Sequence, residues 1–174
     1  MIELLDIIKT RRSIRKFKPD AVPQELIEKV VEAGAYAASG RGNQSPVIIV
    51  IENEDLKEEI SKLNSEIFGK PDFDTFYKAP VYILVAADAS ANTCVYDGTL
   101  ALGNMMLEAH ALGLGTCWIH RAKESMEHEL YKDLFRSLGI EGEYVGVGHL
   151  ALGYADCELP KAAPRKENYV YYVK

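Results

Sequence analysis

Val81-Tyr82-Ile83-Leu84-Val85-Ala86-Ala87 is an uninterrupted apolar run near the middle of this 174-residue chain. A run without polar alternation is typical of a strand that is covered on both faces of a sheet. Pro80 marks the entry to this strand. Residues 47–51 repeat the pattern and predict a second buried strand.

Helical patterns lie around both runs. Apolar residues at helical spacing predict helices at residues 2–10, from Pro23 to near Ser39-Gly40, at Leu56–Leu63, at about Asn92–Leu112 and at Met126–Leu138. We expect the first helix to pack inward and to end in a basic cluster. The fourth is apolar nearly all round, which predicts a central buried helix. Asn104 within it needs a polar partner, because an unpaired buried amide costs about 1–3 kcal/mol.

Two further strands are predicted at Thr116–Ile119 and Tyr144–Leu152. Residues 64–79 include a glycine and a proline and indicate a looser connection. The chain finishes in a β-prone aromatic segment, Tyr169–Val173. This end has no later partner in its own chain, so it is expected to pair with a sheet edge of another subunit.

A basic cluster follows the first predicted helix. Residues 9–18 hold six cations and no acid, whereas the whole chain has 20 basic and 26 acidic residues and a net charge of −6. Arginine forks match phosphate oxygens, and a serine hydroxyl beside them adds a short donor. The cluster is therefore a candidate anion site. A solvated basic turn is the alternative, since the dipole of the preceding helix also favours cations at its C-terminal end.

A polar loop, Ser39-Gly40-Arg41-Gly42-Asn43-Gln44-Ser45-Pro46, comes before the first strand. Its glycines allow close approach of a ligand, and its amides and hydroxyls can form hydrogen bonds with one. A plain surface turn is the alternative interpretation.

Composition limits the classes of function. The length and the 48% hydrophobic content predict a single domain over residues 1–174. No apolar run is long enough to cross a bilayer, and the acidic start is unlike a signal peptide, so we expect a cytoplasmic protein without membrane contact. The net negative charge argues against nucleic acid as a partner. The three cysteines and four histidines have no spacing typical of a metal site or a disulfide framework, and no metal is expected.

Four stretches together resemble the short, single-domain bacterial members of the FMN-dependent nitroreductase family. They are R-R-S-I-R at 11–15, S-G-x-G-x-Q-S-P at 39–46, N-M-M-L-E-A-x-x-L-G-L-G-T-C-W-I at 104–119, and G-Y at 153–154 before a proline-rich basic tail. Their order and spacing cover nearly the whole chain. The resemblance implies an α+β sandwich, with a central mixed, mainly antiparallel sheet flanked by helices. It also implies an intertwined homodimer in which C-terminal arms, here residues 153–174, are exchanged and FMN lies at the subunit interface.

The resemblance also implies which residues bind FMN. Arg11, Arg12 and Ser13 would meet the phosphate and ribityl region, with Lys161 or Arg165 closing the phosphate site and Lys166 as a weaker substitute. Arg15 would lie near the pyrimidine edge, where a cation stabilises the negative charge of the reduced flavin. The other implied cofactor-binding residues are Ala38, Ser39, Gly40, Gln44 and Ser45 of the partner's loop, Asn64, and the backbone amides of His120 and Arg121.

This sequence departs from relatives at three places, the first of them Gln44-Ser45-Pro46, where many relatives have Q-P-W. Ala38 stands where many have proline, and His120 and Arg121 stand where glycine is common. The two bulky side chains are expected to narrow the substrate channel or to select a charged substrate. Polar residues of the central helix, Asp97 among them, are interpreted as structural.

The implied activity is a ping-pong transfer of electrons. NADH or NADPH reduces the flavin at N5, and a nitroaromatic, a quinone or a similar small acceptor then receives the electrons. No catalytic side chain or metal is required. Two alternatives stay open: a flavin-binding redox sensor or FMN carrier without turnover, and a nucleotide-phosphate module that never holds flavin.

Overall fold

The computed structural model describes residues 3–174. Helices and strands alternate along the chain: α1 Leu4–Thr10, α2 Gln24–Ala35, β1 Pro46–Ile51, α3 Glu54–Ile67, β2 Val81–Asp88, α4 Cys94–Ala111, β3 Gly115–Ile119, α5 Ala122–Ser125, α6 Glu129–Ser137 and β4 Tyr144–Gly153. Short 3₁₀ turns occur at Gly40–Gly42 and Glu167–Tyr169. Among the described residues, no helix combines the length and the apolar character that a membrane span requires.

The four strands form one antiparallel sheet in the order β1-β2-β4-β3. Residues 81–87 of β2 are all buried, as the uninterrupted apolar run predicts. β1 lies at an edge and is only partly buried, so its expected cover on both faces is incomplete. The Ile14 amide donates to the Thr116 carbonyl at 2.8 Å, and Ser13 forms a parallel bridge with Thr116. This single parallel bridge lies outside the four strands and places the basic cluster beside β3.

Helices cover both faces of the sheet. α2 and α4 pack on one face, where Val30, Leu102 and Met105 are fully buried. α3, α5 and α6 pack on the other, around Phe76 and Tyr131. α4 is the predicted central helix, but it is not buried all round, since Val95, Tyr96 and Leu100 are 45%, 72% and 49% exposed. The Asn104 amide group has the expected partner, since it donates to the Ala33 carbonyl at 3.1 Å. The α+β sandwich is therefore confirmed.

Three predicted boundaries were wrong. α2 ends at Ala35 rather than near Ser39-Gly40, because the Tyr36 amide makes the last helical bond, to Glu32, and the Ala37 amide instead bonds three residues back, to the Gly34 carbonyl. α3 continues to Ile67, beyond the predicted end at Leu63. The predicted helix Met126–Leu138 is shorter and begins later, as α6 at Glu129, because the His128 side chain caps its start by accepting a hydrogen bond from the Leu130 backbone amide. The short helix α5 at Ala122–Ser125 precedes it and was not predicted.

The α1 helix does not pack inward within this chain. Residue 2, its predicted start, lies outside the described residues, and Leu4, Leu5 and Ile8 are 65%, 55% and 49% exposed. The apolar residues of the arm are equally uncovered, and Tyr169–Val173 forms no strand. Both segments therefore present apolar surface that no described residue of the same chain covers. Pairing with another subunit stays a prediction.

Candidate cofactor site

The basic cluster and the C-terminal arm enclose one cavity of about 600 Å³. Its walls come from the end of α1 and from the arm, and they comprise Ile8, Lys9, Arg11, Arg12, Ser13, Ala162, Ala163 and Arg165. Of the proposed arm cations, Arg165 lines the cavity and Lys161 does not. Lys9 belongs to the basic cluster but was not among the residues implied to bind FMN, and Ile8, one residue before the cluster, was not singled out from the sequence.

The guanidinium of Arg12 forms hydrogen bonds with main-chain carbonyls. Nε donates to Pro160 at 3.0 Å, and Nη1 donates to Lys9 at 2.8 Å and to Arg11 at 2.6 Å. These contacts fasten the arm to the end of α1. Arg12 thus positions the walls of the cavity and has less capacity than Arg11 to contact a ligand.

Arg11 differs from Arg12 in having a buried guanidinium nitrogen without an acceptor among the described residues. Its Nη1 atom is buried and donates to no acceptor among residues 3–174. Burial lowers the pKa of the guanidinium, and the neighbouring charge of Arg12 lowers it further. An anion beside Arg11 would offset both effects and accept the unused N–H groups. A phosphate-bearing cofactor fits this part of the cavity.

The polar loop is held by a single carboxylate, that of Asp97 on α4. It accepts hydrogen bonds from the Gly40 backbone amide at 2.9 Å, from the Ser45 hydroxyl at 2.8 Å and from the Thr93 hydroxyl at 3.0 Å. The Gly40 amide, with both hydroxyls, lowers the pKa of Asp97, so the carboxylate is ionised at neutral pH. The Gly40 amide and the Ser45 hydroxyl are therefore engaged inside the protein, and Asp97 is the structural residue that the sequence interpretation describes.

The remaining loop residues face a different cavity. Ala38, Ser39 and Gln44 line a space of about 270 Å³ against Ile48. The Gln44 backbone N–H donates to the Ser39 hydroxyl at 3.0 Å. Within the described chain, this loop does not line the cavity of about 600 Å³ between α1 and the arm.

Replacing Asp97 by alanine is expected to loosen the 39–45 loop. The substitution leaves the Gly40 amide and two hydroxyls without their acceptor, so the melting temperature should fall by roughly 5–10 °C. Thermal unfolding gives the first measurement, and hydrogen exchange of residues 39–45 gives the second. Asp156→Ala is the matched control, since it removes only an exposed pair with Lys16 and should change neither measurement appreciably. Unchanged exchange in Asp97→Ala would contradict the anchoring role.

Asn64 ties α3 to the turn after β3. Its amide group donates to the His120 carbonyl at 2.9 Å, and its Oδ1 atom is buried with no partner among the described residues. Arg121 follows with a φ of 74° and stacks on Phe68, Cζ lying 4.1 Å from the ring centroid. Asn64, which was predicted to contact the cofactor itself, thus fixes the turn that carries two other predicted residues, His120 and Arg121. Arg15 is exposed on the segment that runs beside β3.

Most of this chain matches a protein-family model, and parts of it match known proteins. Residues 8–154 match the model described as Nitroreductase family. A Methanothermobacter thermautotrophicus protein, whose name proposes an NADH dehydrogenase/NAD(P)H nitroreductase, is 36% identical over 121 residues, covering 67% of this chain and 60% of that protein. The Bacillus subtilis FMN reductase (NAD(P)H) is 28% identical over 138 residues, covering 67% and 53%. The matches thus span little more than half the length of these two curated relatives.

Solved structures show the same fold over the full length. An FMN-bound nitroreductase from Bacteroides fragilis has a TM-score of 0.89 and 27% identity, with 100% of each chain covered. An FMN-bound nitroreductase from Desulfitobacterium hafniense has a TM-score of 0.85 and 25% identity, also with 100% of each chain covered. By the family match over residues 8–154 and by these likenesses, this chain belongs to the nitroreductase family.

Proposed function

We propose that this chain is an FMN-dependent oxidoreductase. It passes electrons from NADH or NADPH to a small organic acceptor, such as a nitroaromatic or a quinone, in a ping-pong sequence. The observation that carries this proposal is the buried, unpartnered Nη1 of Arg11 in a basic cavity of about 600 Å³. Two structures of the same fold contain FMN, and two relatives are named for NAD(P)H-linked reduction, which supports the choice of cofactor and donor.

The chain's own residues bind and orient the cofactor. When bound, FMN supplies the two-electron chemistry. Arg11 would hold the phosphate, with Ser13 and Arg165 completing the anion site, while Arg12 keeps the arm in place. Arg15 would place a positive charge near the pyrimidine edge and stabilise the charge that reduction leaves there.

The remaining predicted residues complete the proposed site. The backbone of the 120–121 turn, fixed by Asn64, would face the edge of the ring. The Ala38–Ser45 loop would approach from the partner subunit, and Lys161 would remain at the rim. Residues 1–174 form one FMN-binding domain in this proposal, with 153–174 as its arm.

The homodimer is part of the same proposal. The exposed apolar face of α1 and the exposed arm supply surface that a second copy would bury. Deleting residues 169–174 should shift the protein from dimer toward monomer in sedimentation velocity, because the arm's aromatic side chains would be lost from the interface. An unchanged sedimentation profile would contradict arm exchange.

Anaerobic mixing with NADH or NADPH tests the activity. The purified protein should be yellow, should bleach with a nicotinamide, and should regain its colour when a nitroaromatic or quinone is added. Yellow protein that no nicotinamide bleaches would favour a flavin-binding sensor or carrier. Protein that stays colourless after addition of FMN would favour a phosphate-binding module instead.

A further inference from the structure

Two cations flank one exposed aromatic ring beside the 120–121 turn. The Arg121 guanidinium lies 4.1 Å from the centroid of Phe68, and the Lys70 ammonium lies 5.3 Å from it. Phe68 is 36% exposed, and Phe73, whose ring centroid is 6.2 Å away, is 44% exposed. Tyr77 extends this row with an edge-on contact to Phe73 at 6.0 Å. The surface is thus both aromatic and positively charged, and we call Phe68, Phe73, Lys70 and Arg121 the basic aromatic patch.

The positive charge of the patch is not neutralised internally. Neither Lys70 nor Arg121 forms an ion pair within residues 3–174. Cations stacked on aromatic rings keep their charge and still have donors for an external anion. The patch therefore has unused capacity for a negatively charged group.

The backbone of Arg121 is unfavourable for a residue with a side chain. Its φ of 74° lies in the left-handed region, where glycine is unstrained. The turn is nevertheless fixed, because Asn64 on α3 binds the His120 carbonyl and the guanidinium stacks on Phe68. A strained residue held in one place by its surroundings points to a function for its side chain.

We propose that the basic aromatic patch selects the electron acceptor, and that the preferred acceptor is a planar aromatic molecule with a carboxylate or similar anionic substituent. The exposed rings contact its aromatic part, and Arg121, assisted by Lys70, binds the anionic group. This inference rests on the proposed function, which places the flavin ring beside the 120–121 turn. Arg121 is a specificity-determining residue in this scheme, and electron transfer itself needs no chemistry from it.

The test compares two ligands that differ in charge, 4-nitrobenzoate and 4-nitrobenzamide. Their dissociation constants for the oxidised, FMN-loaded protein are measured by calorimetry, without any nicotinamide. The wild type should bind the benzoate about tenfold more tightly, as a charge-assisted contact implies. Arg121→Gln should abolish this preference. Arg121→Gly should do the same, and it provides a second variant whose backbone accepts a φ of 74° without strain. Lys123→Gln, at an exposed position two residues further on, is the matched control and should keep the preference.

Three results would overturn the inference. The wild type could bind both ligands equally, the Arg121 variants could retain the preference, or Arg121→Gln could raise the KM for NADPH while leaving the ratio of the ligand constants unchanged. The last result would assign the patch to a phosphate of the nicotinamide donor. Preferential binding of the benzoate by a protein that neither nicotinamide reduces would support the patch as an anion-selective aromatic site, while it would refute the proposed oxidoreductase activity.

Discussion

Arg11→Ala is expected to raise the dissociation constant for FMN about 10- to 150-fold. The guanidinium is half-buried, and its Nη1 atom has no acceptor among residues 3–174, so its hydrogen-bonding capacity is free for a ligand. Each charge-assisted hydrogen bond contributes about 1.5–3 kcal/mol, and the loss of one accounts for this range. Removing the residue also relieves the repulsion between neighbouring arginines, so the apo-protein should not lose stability.

Equilibrium titration of apo-protein with FMN, followed by flavin fluorescence, measures this change. Arg136→Ala is the control, because Arg136 is an exposed arginine whose partners among the described residues, Glu129, Lys132 and Asp133, all lie on its own helix. Its affinity for FMN should equal that of the wild type. Arg15→Ala should act on the redox properties of the flavin rather than mainly on FMN affinity: the flavin reduction potential should be lower and flavin reduction slower. If Arg11→Ala retained wild-type affinity, the cavity between α1 and the arm would not be the phosphate site.

The interior of the fold could be predicted from the sequence because local pattern and burial agree there. The apolar run at residues 81–87 became the central strand β2, and the nearly all-apolar segment became the central helix α4. Whether α1 packs inward against its own chain could not be predicted from the local pattern. Its amphipathic pattern specifies that one face should be covered, but the pattern does not specify whether the cover comes from the same chain.

The sequence predicted several of the residues that form the site, but it did not predict which partner each of them binds. Arg11, Arg12 and Ser13 do meet Arg165 in one cavity, whereas Arg15 does not line it. Adjacent arginines look alike in a sequence, however, and only the fold shows that Arg12 is occupied by the Pro160 carbonyl while Arg11 is free. The same holds for Ser45, whose hydroxyl binds Asp97, a residue 52 positions away. Such long-range pairings leave no local signal.

The basic aromatic patch illustrates the same limit. The loop between α3 and β2 shows no periodicity, so its aromatic residues attracted no functional interpretation from sequence. The fold brings Phe68 against Arg121, which lies on the far side of β2, α4 and β3 in the chain. The departure from glycine at His120 and Arg121 was the one signal available. It indicated either a narrowed substrate channel or a charged substrate, and it did not identify the aromatic partner.

A fully buried histidine makes the stability of this protein sensitive to acid. His149 lies on β4, with Nε2 2.7 Å from the Tyr131 hydroxyl and its ring edge-on to Phe76. Its Nδ1 atom has no partner among the described residues. Burial lowers the pKa of His149 from 6.5 to about 3. The folded protein therefore holds this imidazole neutral at a pH where the unfolded chain protonates it.

The sign of the pH dependence follows from this difference. Above the unfolded pKa of 6.5 neither state binds the proton, and the full stability is present. As the pH falls from 6.5 toward 3, only the unfolded state binds it, and the free energy of unfolding decreases. At about pH 4.5 the expected loss from His149 alone is about 2–3 kcal/mol.

Replacing His149 and Tyr131 together by phenylalanine should remove this component, because the pair then has neither a titrating ring nor a hydroxyl left without its partner. Urea unfolding at about pH 7 and pH 4.5 gives the two free energies, and their difference should be about 2–3 kcal/mol smaller in the double variant than in the wild type. Tyr131→Phe alone retains the histidine and should keep most of the acid sensitivity. An equal loss of stability in the wild type and the double variant would mean that the buried imidazole is protonated in the folded protein as readily as in the unfolded chain.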